Sequence, residues 1–361
     1  MKIRFLWLIW LFLLTIPQAD SSAQPGTRTI ITGRITDAQT AEPLENVNVF
    51  LSNTTIGNSS GKDGTFSISG APIGVFDLVF SRIGYQPRTL SVRILKSDSL
   101  YYEIQLQPKV LQSSTVEIVG EAPREWQKNL KMFAKAFIGE TAHSDRCAML
   151  NPEILNFRFD EKADTLVASA DNILHVDNLA FGYRIHIVLV QFVWNVGLDV
   201  GHYLIYPFFE ELKPRTPNQF SEWQENRRKS FDGSLKQFLH GLYAGTIDED
   251  DVAIFAGPVS VLQQGGEGHR VDPGELVTTS DNDTLFKKLI FPEYLRVDCG
   301  KVSRPDWRAG DWTSRPSSMN LITLRDSVAL IDSAGNLINP LSLEISGTWA
   351  RNRVAELLPM Y

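Results

Sequence analysis

The side chains of this 361-residue chain that could do chemistry are few and scattered. His175 and Asp177 stand two residues apart in Leu174-His175-Val176-Asp177, a spacing that puts both on one face of an extended strand. A neutral imidazole beside a carboxylate can serve as a general base or supply two ligands of a metal site. His202, with Asp199 just ahead of it, is the other candidate for such a site. No third ligand follows at a regular spacing, so a working pair and the plain polar edge of a strand both stay open. Arg227, Arg228 and His240 fall on one helical stretch, whose plain reading is a solvated face. Asp248-Glu249-Asp250-Asp251 offers the oxygen ligands that Ca²⁺ takes but lacks the alternating spacing and the glycine of a calcium loop, so a charged turn is expected. Trp307 and Trp312, with Trp349, are candidate platforms for stacking on sugars, the alternative for each indole being the core. Cys147 and Cys299 are the only two cysteines. They could close one disulfide over about 150 residues, or be two buried thiols.

Those residues must be held by elements whose patterns can be read. Composition places the chain among globular proteins: 43% hydrophobic, 20 Phe, 8 Trp and 9 Tyr supply core-forming side chains. A net charge of −7 without any Lys/Arg-rich run argues against a nucleic-acid partner. Residues 1–23 read as a secretory signal peptide: Lys2 and Arg4 precede an apolar run from Phe5 to Ile16, Pro17 ends it, and Ser21-Ser22-Ala23 suits cleavage before Gln24. An uncleaved anchor is the alternative. No transmembrane helix is expected after cleavage, because no later stretch reaches about 18 consecutive apolar residues.

Residues 28–107 alternate at period two between Gly-containing turns and predict a small antiparallel β-sandwich. Val47, Val49 and Leu51 share a face, as do Phe66 and Ile68, then Phe76, Leu78 and Phe80, then Leu90, Val92 and Ile94, then Tyr102, Ile104 and Leu106. Residues 108–123 read as a linker or strand. From 124 to 361 the pattern is that of a larger α+β domain, so the fold class is mainly β. Trp126, Leu130, Phe133 and Phe137 make an amphipathic helix ending at Gly139. Strands are expected at 156–160, 166–170 and 183–193, helix over 219–243 with a break at Asp232-Gly233-Ser234, a surface loop over 266–284, strands at 327–332 and 341–345, and a short helix over 349–358.

Ile31-Thr32-Gly33-Arg34-Ile35-Thr36-Asp37, Pro43-Leu44, Val47-Asn48-Val49, Gly57, Asp63-Gly64-Thr65-Phe66 and Gly84-Tyr85 resemble, in that order, the carboxypeptidase regulatory-like domain. The resemblance covers residues 30–107, about a fifth of the chain. It implies a prealbumin-like, carbohydrate-binding-like sandwich that is an accessory module beside its best-known catalytic partner. The same module is common at the front of cell-envelope proteins of the Bacteroidota, and Thr115-Val116-Glu117-Ile118-Val119-Gly120 is similar to the strand that leads into a transporter plug. A transporter barrel of 22 strands would not fit in the remaining chain, and the helices at 126–138 and 219–243 argue against a small barrel. The whole arrangement resembles secreted Bacteroidota proteins named only for this N-terminal domain, which implies architecture and an envelope location: exported, periplasmic or outer-membrane associated.

The catalytic templates are missing. A zinc peptidase of the carboxypeptidase kind needs a Glu three residues after a His; those positions hold Arg146, Asn178, Leu189, Ile205, Tyr243 and Asp272. His-Glu-x-x-His, the Walker loop and Cys-x-x-Cys are absent as well. No metal or cofactor is called for and no catalytic residue is assigned. The expectation is a noncatalytic envelope protein that binds or scaffolds a protein or glycan partner. The alternative is a periplasmic hydrolase whose site is assembled from separate elements of residues 124–361.

Overall fold

The computed structural model describes residues 29–96, 98–109, 123–249, 251–263, 268–280, 283–300 and 318–360. Residues 1–23, expected to be a signal peptide, residues 110–122, which include the 115–120 segment similar to a strand before a plug, and Trp307 and Trp312 lie outside the described residues.

The first module is a β-sandwich. One sheet pairs β1 (Thr29–Asp37), β4 (Thr65–Ala71) and β7 (Ser99–Leu106) in the order β4-β1-β7; the other runs β3-β2-β5-β6, from β2 (Asn48–Leu51), β3 (Gly57–Ser59), β5 (Gly74–Ser81) and β6 (Arg88–Ile94). The period-two faces read from the sequence meet between the sheets: Val47, Val49, Leu51, Leu78 and Phe80 are all fully buried there. Every pair is antiparallel except that of β1 with β7, the module's first and last strands, which run parallel in one sheet. The resemblance residues do identifiable work. Gly33 lets β1 approach so closely that a Cβ there would run into the Tyr102 carbonyl oxygen and the Phe66 ring. Asp37 accepts hydrogen bonds from the amides of Gln39 and Thr40 and, at 2.8 Å, from the Tyr85 hydroxyl, tying the end of β1 to the Gly84-Tyr85 turn. The amides first, then the hydroxyl, hold its carboxyl below the usual range.

Residues 123–360 contain two further apolar cores. The first lies between α1 (Arg124–Ile138) and a six-stranded sheet of β8 (Cys147–Met149), β9 (Leu155–Asp160), β10 (Thr165–Ala170), β11 (Leu174–Asn178), β12 (Tyr183–Asn195) and β13 (Val200–Glu211). The helix spacing places Phe133 and Phe137 toward the sheet, where both are fully buried and stack at 4.7 Å, with Phe192 4.8 Å from Phe133. Gly139, at φ 96°, ends the helix as expected.

Helix α2 (Pro217–Phe231) lays its buried Trp223 on the turn at 179–182, Nε1 donating to the Leu179 carbonyl at 3.0 Å, and the second core packs α3 (Leu235–Ala244) against two sheets: β15-β14-β18-β19-β21 and β16-β17-β20. These strands are β14 (Val252–Gly257), β15 (His269–Arg270), β16 (Val277–Ser280), β17 (Asp283–Leu289), β18 (Tyr294–Cys299), β19 (Ser318–Leu324), β20 (Ala329–Asp332) and β21 (Leu343–Gly347). The helical break falls at Asp232-Gly233-Ser234, and the Ser234 hydroxyl caps α3 by accepting from the Gln237 amide. Two expectations fail here. Residues 266–284 are not only loop, since β15 and β16 lie within them; the Thr and Ser of β16 suit an edge strand but resemble a loop in composition. The expected helix over 349–358 is two short 3₁₀ turns, Trp349–Arg351 and Val354–Glu356. Trp349 enters one core and Val354 the other, and Asn352, at φ −75° and ψ 90°, is extended between them and ends the first turn.

Phe133→Ala is expected to cost about 3–5 kcal/mol in urea unfolding. A loss below about 1 kcal/mol would show that the stacked ring cluster does not hold the helix to the sheet.

Candidate functional site

The six-stranded sheet keeps α1 on one face and turns the other toward the sandwich. Alternation along β12 puts Arg184, His186 and Val188 on that outer face. Pairing with β11 and β13 extends them into rungs: Asp177, Arg184 and Glu210; then His175, His186 and Phe208; then Val188 and Tyr206. The third rung is apolar and carries the sandwich: Phe50 and Val79 pack on Ile173 and Val188, with the Phe50 and Phe208 rings 5.4 Å apart. Backbone bonds reinforce this junction, from the Asn53 amide to the Pro207 carbonyl at 2.7 Å and from the Phe209 amide to the Thr54 carbonyl at 2.9 Å. Lys109 adds an ion pair to Asp171 at 2.9 Å.

Beside the apolar rung the junction opens into a cleft of about 700 Å³. The sandwich contributes Asn46, Asn48, Asn58, Ser59 and Arg82; the sheet contributes Asn172, His175, His186, Phe208 and Glu210. His186 Nε2 lies 3.0 Å from Glu210 Oε2, so its N–H donates to the carboxylate. The His175 ring meets His186 edge-on at 4.8 Å, and its buried Nδ1 has no hydrogen-bond partner among the described residues. Burial first, then the His186 and Arg184 charges, push the His175 pKa below its ordinary value.

The three sequence candidates therefore separate. His175 enters the cleft, where the structure joins it to His186 and Glu210. Asp177 is taken up by Arg184, which donates through Nε at 2.7 Å and Nη2 at 3.0 Å, leaving little of the carboxylate for a base. His202 sits opposite Val193, six residues along β13 from Phe208, or roughly 20 Å at about 3.3 Å per residue. Trp349 is no platform: it is buried, 5.4 Å from Phe238, and its Nε1 donates to the Gly233 carbonyl. Cys147 and Cys299 are not bridged; Cys147 packs against one core and Cys299 belongs to the other. Burial, with the Glu356 charge, pushes the Cys147 thiol up to about 12, so it is not a nucleophile at neutral pH. The acidic turn is a turn: the Asp248 carbonyl accepts from the Asp251 and Val252 amides, and Glu249 pairs with Arg270. Among the described residues no group of three His, Cys, Asp or Glu side chains is placed to hold a metal ion.

Sequence reasoning missed His186 and Glu210, whose only signal was their alternation with His175 and Asp177 across strands not yet aligned. It also missed a second pair, His143 and Glu356, 213 residues apart and joined at 2.9 Å at the edge of a cleft of about 870 Å³. The His143 ring is held against Phe181 at 4.9 Å.

The sandwich, its motif residues and its close β1–β7 approach decide the first module. Residues 31–118 form a CarboxypepD_reg-like domain. No curated protein matches the chain. Among solved structures, a type II cohesin–X-module–dockerin complex from Acetivibrio cellulolyticus is similar at 17% identity and TM-score 0.19, over 21% of this chain and 52% of that one. A putative carbohydrate binding protein from Bacteroides uniformis matches at 12% identity and TM-score 0.18, over 52% of this chain and 80% of that one. A DUF3823 family protein from Bacteroides ovatus matches at 11% identity and TM-score 0.16, over 52% and 82%. The match thus spans about half the length of the cohesin–dockerin structure, and at these values the likeness transfers neither ligand nor activity. Among the described residues no helix is long and apolar enough to cross a membrane.

The His175 environment sets a pH dependence. A folded-state pKa below the ordinary value near 6.5 means that the unfolded chain binds more protons. This contribution to stability is complete above about pH 6.5 and is lost as pH falls through the lower folded value. Thermal melts between pH 7 and pH 5 are expected to show a shallower loss of stability in His175→Gln than in wild type; equal slopes would mean that His175 protonates freely in the fold.

Proposed function

We propose that this chain is a noncatalytic binding protein of the cell envelope whose junction cleft takes a hydroxyl-rich ligand of the glycan class. The observation that carries the reading is the cleft's lining. Side-chain amides from the CarboxypepD_reg-like domain face imidazole and carboxylate groups from the sheet, around the Phe208 ring. Amides and the His186–Glu210 pair present donors and acceptors side by side, as vicinal hydroxyls require, and an aromatic ring suits the apolar face of a sugar. Strand positions and backbone bonds across the junction fix these groups in advance, which lowers the ordering cost of binding. Export is part of the proposal and rests on the charged start, apolar run and small residues at 1–23.

One observation favours a second reading, a hydrolase: the Glu210 carboxylate orients the His186 imidazole in the same cleft, as a general base is oriented. Prolonged incubation with any glycan that binds separates the two, since a binding protein returns its ligand intact.

On a glycan array the full mature chain is expected to retain at least one glycan, and Glu210→Ala to weaken it about tenfold in calorimetry. A blank array, or a variant binding as tightly as wild type, removes the glycan reading. Sequencing the N-terminus of protein recovered from the envelope fraction is expected to begin at Gln24; recovery with Met1 in place would overturn cleavage.

A further inference from the structure

A third cleft, of about 690 Å³, opens where α2, α3 and the C-terminal stretch meet. Two cations of its lining are half-buried and held in place. The Lys236 ammonium donates to the Pro359 carbonyl at 3.1 Å. No carboxylate lies within ion-pair distance of it among the described residues. The acid whose charge it feels, Asp332, is occupied: Oδ1 accepts from the Ala334 and Asn336 amides, and both oxygens from Asn336 Nδ2. The Arg227 guanidinium lies 3.9 Å over the Tyr183 ring and donates through Nε to the Phe181 carbonyl at 2.8 Å. Its one carboxylate partner among the described residues is the exposed Glu211, at 3.2 Å. Arg228, by contrast, is satisfied by Glu225 and Asp232 and adds little.

A half-buried ammonium with only a carbonyl partner is a standing electrostatic cost, visible in a Lys236 pKa pushed down to about 8 by burial. An anion entering the cleft offsets that cost, and a guanidinium whose orientation is already fixed loses little in holding it. Phe231, Leu358 and Met360 give the same cleft an apolar side.

We propose that this cleft is a carboxylate-binding site, in which Lys236 and Arg227 hold the anionic group of a ligand whose apolar portion lies on Phe231, Leu358 and Met360. The site is separate from the junction cleft and does not depend on the glycan reading.

The probes are N-acetyl-leucine and its uncharged analogue N-acetyl-leucinamide, tested on the full mature chain. Amine acylation at pH 8, read by peptide mass spectrometry, is expected to modify Lys236. Millimolar N-acetyl-leucine is expected to slow that modification severalfold, and the amide to leave it unchanged. Calorimetry with Lys236→Gln, which retains a polar group for the Pro359 carbonyl, is expected to lose about tenfold in affinity for the acid. Equal protection by acid and amide, no protection by either, or undiminished binding by the variant overturns the site. Glycan binding at the junction is expected to be the same in Lys236→Gln and wild type, so the two proposals fail separately.

Discussion

The fold of the middle of this molecule rests on the alternation of side chains along β12. Ile185, Ile187 and Leu189 point into the core beneath α1, while Arg184, His186 and Val188 point toward the sandwich. A register slip of one residue would exchange these faces, burying two charged or titratable groups and exposing the core. The strand also carries its own correction. The register shifts between Leu189 and Gln191, leaving Val190 exposed, and this bulge returns Phe192 and Trp194 to the core face. A strand of 13 residues thereby keeps one apolar side along its length while leaving the polar ladder only where the sandwich overhangs it.

That ladder explains why the junction both holds and opens. The apolar rung of Val188 and Tyr206 excludes water and accepts Phe50 and Val79, and the Asn53–Thr54 turn pairs with the β13 edge as a further strand would. Pairing protects an edge that would otherwise present unpaired amides and carbonyls. One rung further on, imidazoles and a carboxylate replace the apolar groups; contact stops there and a cleft begins.

The C-terminal stretch does for the whole chain what β12 does for the middle. Trp349 belongs to the core around α3, Val354 and Ala355 to the core around α1, and Met360 packs against the sandwich core. Between them Arg353 donates to the Lys135 and Ala136 carbonyls at the end of α1 and lies 4.3 Å over the Trp194 ring. A cation at that end also complements the helix dipole. The stretch crosses three cores in a dozen residues as two 3₁₀ turns with the extended Asn352 between them, and it carries Glu356 to His143 and Pro359 to Lys236.

Local pattern in the sequence determined the sandwich and its buried faces, α1 with its stop at Gly139, the break at Asp232-Gly233-Ser234, and the mainly β character of the rest. These follow from periodicity, glycine and capping, which act over a few residues and so are written in a few residues. The same reasoning found His175 but gave Asp177 a freedom that Arg184 removes, and it joined His202 to a pair it never meets. It also left Cys147 and Cys299 open to a bridge, whereas they lie unbridged in separate cores. Only the tertiary structure decided that His175 stands with His186 and Glu210, that His143 finds Glu356 across 213 residues, and that Lys236 is left beside a carbonyl without a carboxylate among the described residues. Each of these depends on strand register or on the path of the C-terminal stretch, which are set by how distant apolar faces pack together and leave no mark at the spacing of neighbouring residues.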